Sequence, residues 1–78
     1  MNEKELLKRI ETNPKIMLGK PVIKGTRLPV EIILEKLGYG YNEEEIIKDF
    51  PFLKREDIKA CLIYAAKRVA LVEEVIIE

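Results

Sequence analysis

Gly19-Lys20-Pro21-Val22-Ile23-Lys24-Gly25-Thr26-Arg27-Leu28-Pro29-Val30 is the stretch whose reading decides the fold. Glycine at 19 and 25 permits left-handed backbone or a close approach of another chain segment. Pro21 and Pro29 fix φ and remove amide donors, so neither suits a helix interior or a central strand. Val22, Ile23, Leu28 and Val30 favour extended structure. These twelve residues predict a kinked β-ribbon, or two short edge strands around a Lys24-Gly25 turn, feeding a helix near Val30. Such a ribbon either makes contact with a partner or caps a small core, because an isolated ribbon is marginal without packing.

Downstream, Val30, Ile33, Leu34 and Leu37 recur at i, i+3, i+4 and i+7 and make one apolar helical stripe, closed by Gly38 and Gly40. Asn42 with Glu45 three residues on reads as a capping box. It opens a second helix whose apolar face is Ile46, Ile47 and Phe50 and which Pro51 ends. A third helix is predicted from about Arg55 to Leu71, with Ile58, Leu62, Ala65, Val69 and Val72 at helical spacing. Upstream, residues 3–9 suit a short helix, and Ile10 to Thr12 reads as a strand entering the Asn13-Pro14 turn. The fold class expected is mostly α: an N-terminal β-ribbon followed by a three-helix bundle whose last two helices share a short turn, the layout of helix-turn-helix modules. One domain spans 1–78, with the N-terminal segment and ribbon over 1–29, the trihelical core over 30–72 and a tail over 73–78.

Composition narrows the chemistry. The chain has 78 residues, no histidine and a single cysteine. No intramolecular disulfide can form, and a reducing cytoplasm fits best. Ordinary zinc sites and histidine acid–base catalysis are disfavoured. The apolar pair Leu6-Leu7 is too short for an export signal, and no run of about 18 apolar residues predicts a membrane span. Ser and Gln are absent while Lys, Glu and Ile abound, as in heat-adapted proteins. A domain of this size is often stabilised by oligomerisation.

The formal net charge is zero but alternates in blocks. Residues 1–30 hold seven Lys or Arg against three Glu, and residues 31–53 hold two Lys against six acids. Residues 54–68 hold five bases against Glu56 and Asp57, and the last ten residues hold three Glu. A basic ribbon and a basic last helix can share a face that meets phosphates. Alternatively, the blocks pair with one another, within one chain or across a dimer.

The quoted stretch resembles the signature of the bacterial and archaeal Domain of Unknown Function 433 family. The likeness extends through Tyr39-Gly40-Tyr41-Asn42 with Glu44-Glu45-Ile46-Ile47, then Asp49-Phe50-Pro51-Phe52-Leu53. It ends in Glu56-Asp57-Ile58 leading to Leu62-Ile63-Tyr64-Ala65-Ala66, and so spans about Ile10 to Ala66. The resemblance implies a homeodomain-like trihelical core, a homodimer, and a VapB-type antitoxin role with a PIN-like nuclease toxin as partner. Most members of the family have no assigned activity. Lys54 departs from the family pattern, where Thr or Ser caps the last helix; lysine cannot accept the orphan amide hydrogen bonds, so a looser helix start is expected.

The residues expected to meet nucleic acid are Lys20, Lys24 and Arg27 from the ribbon and Lys54, Arg55 and Lys59 from the start of the last helix. An arginine grips phosphate or carboxylate bidentately. The competing reading ties Arg27 to Glu31 or Glu35 and leaves the lysines as solvated surface charge. Thr26 is expected to close the turn with its hydroxyl. Tyr39 and Tyr41 stack on a partner or pack around the helix-ending corner. Cys61 reads as an inert buried thiol. Glu43, Glu44, Glu45 and Asp49 lack the ligand pattern of a metal site and read as a solvated face.

Partner or dimer contacts are expected at Val22, Ile23 and Tyr64, and at Val72, Val75, Ile76 and Ile77, where the apolar C-terminal segment is free to add a strand to a partner or wrap a second subunit. Tyr64 alternatively completes the core. Two functions compete. One is a non-enzymatic antitoxin-like regulator that binds operator DNA and blocks a nuclease with Lys67 or Arg68. The other is a protein-interaction module with no nucleic-acid role. Catalysis lacks a nucleophile–base pair or a phosphate-cradling loop, and no cofactor or metal is implied.

Overall fold

Thr26 closes the turn that organises the N-terminal half. Its hydroxyl donates to the Ile23 carbonyl at 2.7 Å and accepts the Leu28 amide at 3.0 Å, with Gly25 left-handed at φ +81°. In this computed structural model, which describes residues 1–71, the turn leads back to one bridge between Val22 and Pro29. The regular pairing lies elsewhere. Strand β1 (Ile10–Glu11) runs antiparallel to β2 (Val22–Ile23), with Ile10 opposite Ile23 and Glu11 opposite Val22. Pro29 has no amide to extend a ladder, which confines pairing around the turn to a single bridge.

Between the strands the chain makes a tight excursion. The Asn13 side chain accepts the Lys15 amide at 2.9 Å, an Asx turn. Met17, Leu18 and Gly19 then all adopt positive φ (48°, 58° and 83°). The turn at Met17–Gly19 places Leu18 almost wholly in solvent.

Among the described residues four α-helices complete the fold: the three expected of the bundle, and a short one at the N-terminus where residues 3–9 suit a helix. Helix α1 (Glu3–Leu7) is capped by Asn2, whose side chain accepts the Glu5 amide at 2.8 Å. Helices α2 (Val30–Gly38), α3 (Glu43–Asp49) and α4 (Arg55–Ala70) follow. The short α1 packs along α4, buries Leu6 and is fastened by a 2.7 Å ion pair from Glu3 to Lys67. Gly38 stays helical, and the break falls at Gly40, whose φ of +96° no β-carbon tolerates easily. The Asn42/Glu45 capping box forms as expected, with contacts of 2.8 and 2.9 Å.

Helix α4 does not begin loosely. Lys54 itself supplies no acceptor, but the Asp57 carboxylate reaches back to its amide at 2.9 Å. One half of a capping box therefore anchors the end that lysine leaves open.

The core gathers Ile23, Val30, Ile33, Ile46, Leu53, Ile58 and Cys61 from the ribbon, the helices and the α3–α4 turn. Each fully buried Val or Ile contributes roughly 1.5–3 kcal/mol. Val22 and Ile23 belong to this interior at 0% and 3% exposure, which corrects their expected role as interface residues. Two adjacent apolar residues are both buried here because β2 is covered on both faces. Tyr64 packs against the core. The expected contacts at Val72, Val75, Ile76 and Ile77, and the 73–78 tail, lie outside the described residues. No described helix is long and apolar enough to cross a membrane.

Candidate nucleic-acid interface

The loop that follows β2 and the turn that precedes α4 stand side by side and enclose an open groove of about 1040 Å³. Lys24 and Arg27 reach it from the loop, Lys54 from the start of α4, and Phe50 and Phe52 from the turn. Three of the six expected nucleic-acid contacts thus meet in one place, although 27 residues separate Arg27 from Lys54 in sequence.

The groove also holds two carboxylates, and both are occupied. Asp57 is 7% exposed; one oxygen takes the Lys54 amide and the other meets Arg9 Nη1 at 3.0 Å. Glu11 Oε2 accepts the Gly25 amide at 3.3 Å, which ties β1 to the loop. Arg9 and Asp57 cancel. Among the described residues, Lys24, Arg27 and Lys54 make no ion pair, so the surplus charge of the groove is positive.

The other three expected contacts lie apart. Lys20 pairs with Glu31 at 3.0 Å, both half-exposed. That pair takes one of the two acids expected to hold Arg27, and Arg27 is left exposed. Arg55 lies 3.7 Å from Glu43 at the start of α3. Lys59 is exposed four residues further along α4. At 100° per residue these two occupy the outer face of α4, about 160° round the helix from Asp57. Beyond them the same face turns apolar and exposed at Leu62, Ala66 and Val69.

Two of the acids expected on a solvated face have local partners. Glu45 caps α3, and Asp49 pairs with Lys36 at 3.0 Å. No cluster of three metal-capable side chains occurs among the described residues. Lys36 Nζ sits 4.5 Å from the Tyr41 ring centroid, so Tyr41 packs at the corner as one reading expected. Tyr39 does not: it is 81% exposed. Cys61 is buried, and burial, aided by the Asp57 charge, pushes its thiol up to about 12. Arg68 lies over the Tyr64 ring at 5.9 Å.

Three residues of the groove, Asp57, Arg9 and Phe52, are not assigned to it from the sequence. Asp57 sits three residues after the N-cap Lys54, and that spacing is a usable signal. Arg9 has none, because its partner is 48 residues away. Phe52 resembles any turn aromatic until its exposure beside the three cations is seen.

The loop and turn that frame the groove fall inside the stretch, residues 10–65, matched by the model of a family described as Protein of unknown function (DUF433). An uncharacterized protein of Sinorhizobium fredii is 34% identical over 56 residues, which are 72% of this chain and 25% of that protein. A 25-residue stretch, 32% of this chain, is 56% identical to an uncharacterized protein of Archaeoglobus fulgidus and covers 69% of it. The chain therefore spans only a quarter of the Sinorhizobium relative. The crystal structure of a DUF433 member from Anabaena variabilis superposes with a TM-score of 0.76 at 25% identity, covering 86% of this chain and 66% of that one. With the matched segment running from β1 into α4 and the solved member sharing the same fold, the chain belongs to the DUF433 family.

Proposed function

We propose that this chain is a small non-enzymatic DNA-binding regulator of antitoxin type. The observation that carries the reading is the convergence of Lys24, Arg27 and Lys54, none of them ion-paired among the described residues, in one groove at the N-terminal end of α4. Helices α3 and α4 with the turn at 50–54 have the order of a helix-turn-helix, in which the first residues of the second helix approach the bases. Arg55 and Lys59, on the outer face of the first turns of α4 and away from the groove, offer the base contacts, while the 24–28 loop acts as an arm on the phosphates. Operator DNA upstream of the chain's own gene is the expected ligand. A homodimer would present two such ends to two half-sites.

A mobility-shift titration at two salt concentrations tests this. Arg27→Ala and Lys54→Ala should each weaken binding uniformly across sequences and reduce the salt slope by about 1. Arg55→Ala with Lys59→Ala should reduce discrimination between operator and random DNA. Absence of any shift at low salt would sink the reading.

A second function rests on a different observation, the exposure of Leu62 and Val69 on α4, of Leu71 just past its end, and of Leu18 on the strained turn. These residues fit a protein partner: a second copy, or a PIN-like nuclease toxin whose acidic site would accept the exposed Arg68. Binding to such a protein should survive high salt, because apolar burial is not screened. Size-exclusion chromatography with light scattering decides the dimer; a monomer at tens of micromolar excludes it.

A further inference from the structure

The groove that collects Lys24, Arg27 and Lys54 also carries an exposed aromatic ring, and the pair of features defines a ligand more narrowly than charge does. Phe52 is 56% exposed on the turn immediately before Lys54. Phe50 supports it from behind, with ring centroids 6.2 Å apart and planes tilted by 59°. Phe50 is itself fixed against the core and by Lys36 Nζ, 5.6 Å from its centroid. The aromatic element is thus held in place while Phe52 stays open to solvent.

Arg9 and Asp57 neutralise one another at 3.0 Å, and Glu11 is engaged by the Gly25 amide. What remains for a ligand is three unpaired cations against the single Glu11 carboxylate, a net positive charge, beside one planar apolar surface. A partner that answers both is planar, apolar on its face and anionic at its edge. We propose that the groove binds a nucleotide unit with an unpaired base, the base stacked on Phe52 and its phosphate held by Arg27, Lys24 and Lys54. This rests on the nucleic-acid reading of the same groove and adds that the base is outside a duplex stack, since a stacked and paired base offers no face to a side chain. The same chemistry comes from a single strand or from a free mononucleotide. An acidic peptide satisfies the cations and leaves the ring of Phe52 without a planar partner.

Fluorescence anisotropy tests it with a short labelled oligothymidylate and a duplex of equal length, each titrated with the whole chain at low salt. The single strand is expected to bind more tightly than the duplex. Phe52→Leu, which keeps apolar bulk at an exposed position, should weaken single-strand binding roughly 5- to 100-fold and duplex binding by a distinctly smaller factor. Arg27→Gln should weaken both. Unlabelled thymidine monophosphate separates the sources: competition at concentrations near those of the oligonucleotide identifies a free-nucleotide site, and weak competition identifies a strand.

Equal or tighter duplex binding with an innocuous Phe52→Leu overturns the proposal and leaves the operator reading intact. Displacement of the strand by polyglutamate as readily as by oligothymidylate, at matched charge, also overturns it and makes the groove an acidic-peptide site. Failure of both nucleic acids to bind overturns both readings.

Discussion

Arg9 and Asp57 stand 48 residues apart in sequence and 3.0 Å apart in space, and the contact joins the start of β1 to the first turn of α4. Asp57 is 7% exposed and uses both carboxylate oxygens, one for the guanidinium and one for the Lys54 amide. A single side chain therefore caps a helix, docks the N-terminal segment and sets the charge balance of the groove.

Replacing it separates these roles. Asp57→Ala removes the cap and leaves Arg9 half-buried without a counter-charge, and should destabilise the chain by roughly 2–4 kcal/mol. Asp57→Asn keeps an acceptor for the Lys54 amide and should cost about half as much. Urea unfolding followed by circular dichroism measures the difference. Equal losses for the two variants would mean that the cap contributes nothing.

The glycines predict substitutions of opposite sign. Gly25 has φ of +81° with open space around the missing β-carbon, so Gly25→Ala should cost about 1–2 kcal/mol through backbone strain alone. Gly38 is helical with equally open space, so Gly38→Ala should stabilise by roughly 0.5–1 kcal/mol. Thermal melts of the two variants should move in opposite directions.

Periodicity and turn chemistry made the local elements legible. The Val30/Ile33/Leu34/Leu37 stripe, the Asn42 cap and the Thr26 turn all form where their patterns place them. What failed was long-range. Val22-Ile23 reads as a spare sticky pair because nothing near it in sequence covers it, yet it is buried against β1 and the helices. The same limit hid Arg9, whose role exists only once α4 is folded against the N-terminal segment. Lys24, Arg27 and Lys54 were identifiable as exposed bases. That they share a groove, while Lys20 and Arg55 are drawn off by Glu31 and Glu43, depends on packing that no local pattern encodes.

Cys61 supplies a pH signature. Burial and the neighbouring Asp57 raise its thiol from 9.0 to about 12, so the folded state favours the protonated form. Its contribution is complete below pH 9.0 and declines as pH rises towards about 12, because the unfolded chain ionises first. The slope should approach 1.4 kcal/mol per pH unit in that window. Stability curves of the chain and of Cys61→Ala, compared from pH 8 upward, isolate the effect, since other groups titrate alike in both. The native thiol should resist disulfide reagents at pH 8 and react only on unfolding. Rapid labelling of the folded chain would contradict its burial.

Lys54 places stability and binding in opposition. Its backbone is extended, as a helix cap requires, but its side chain has no acceptor to offer. Lys54→Ser adds one for the free amides of the first turn and should stabilise α4 by about 0.5–1 kcal/mol, while the Asp57 contact to the residue 54 amide persists. The same substitution removes one of the three unpaired cations of the groove, so nucleic-acid affinity should fall and its salt slope should shrink by about 1. Measured on one variant, a raised melting temperature with weakened binding identifies Lys54 as a contact retained at a cost in helix stability. A raised melting temperature with unchanged binding removes Lys54 from the interface and weakens the case for the groove as the site.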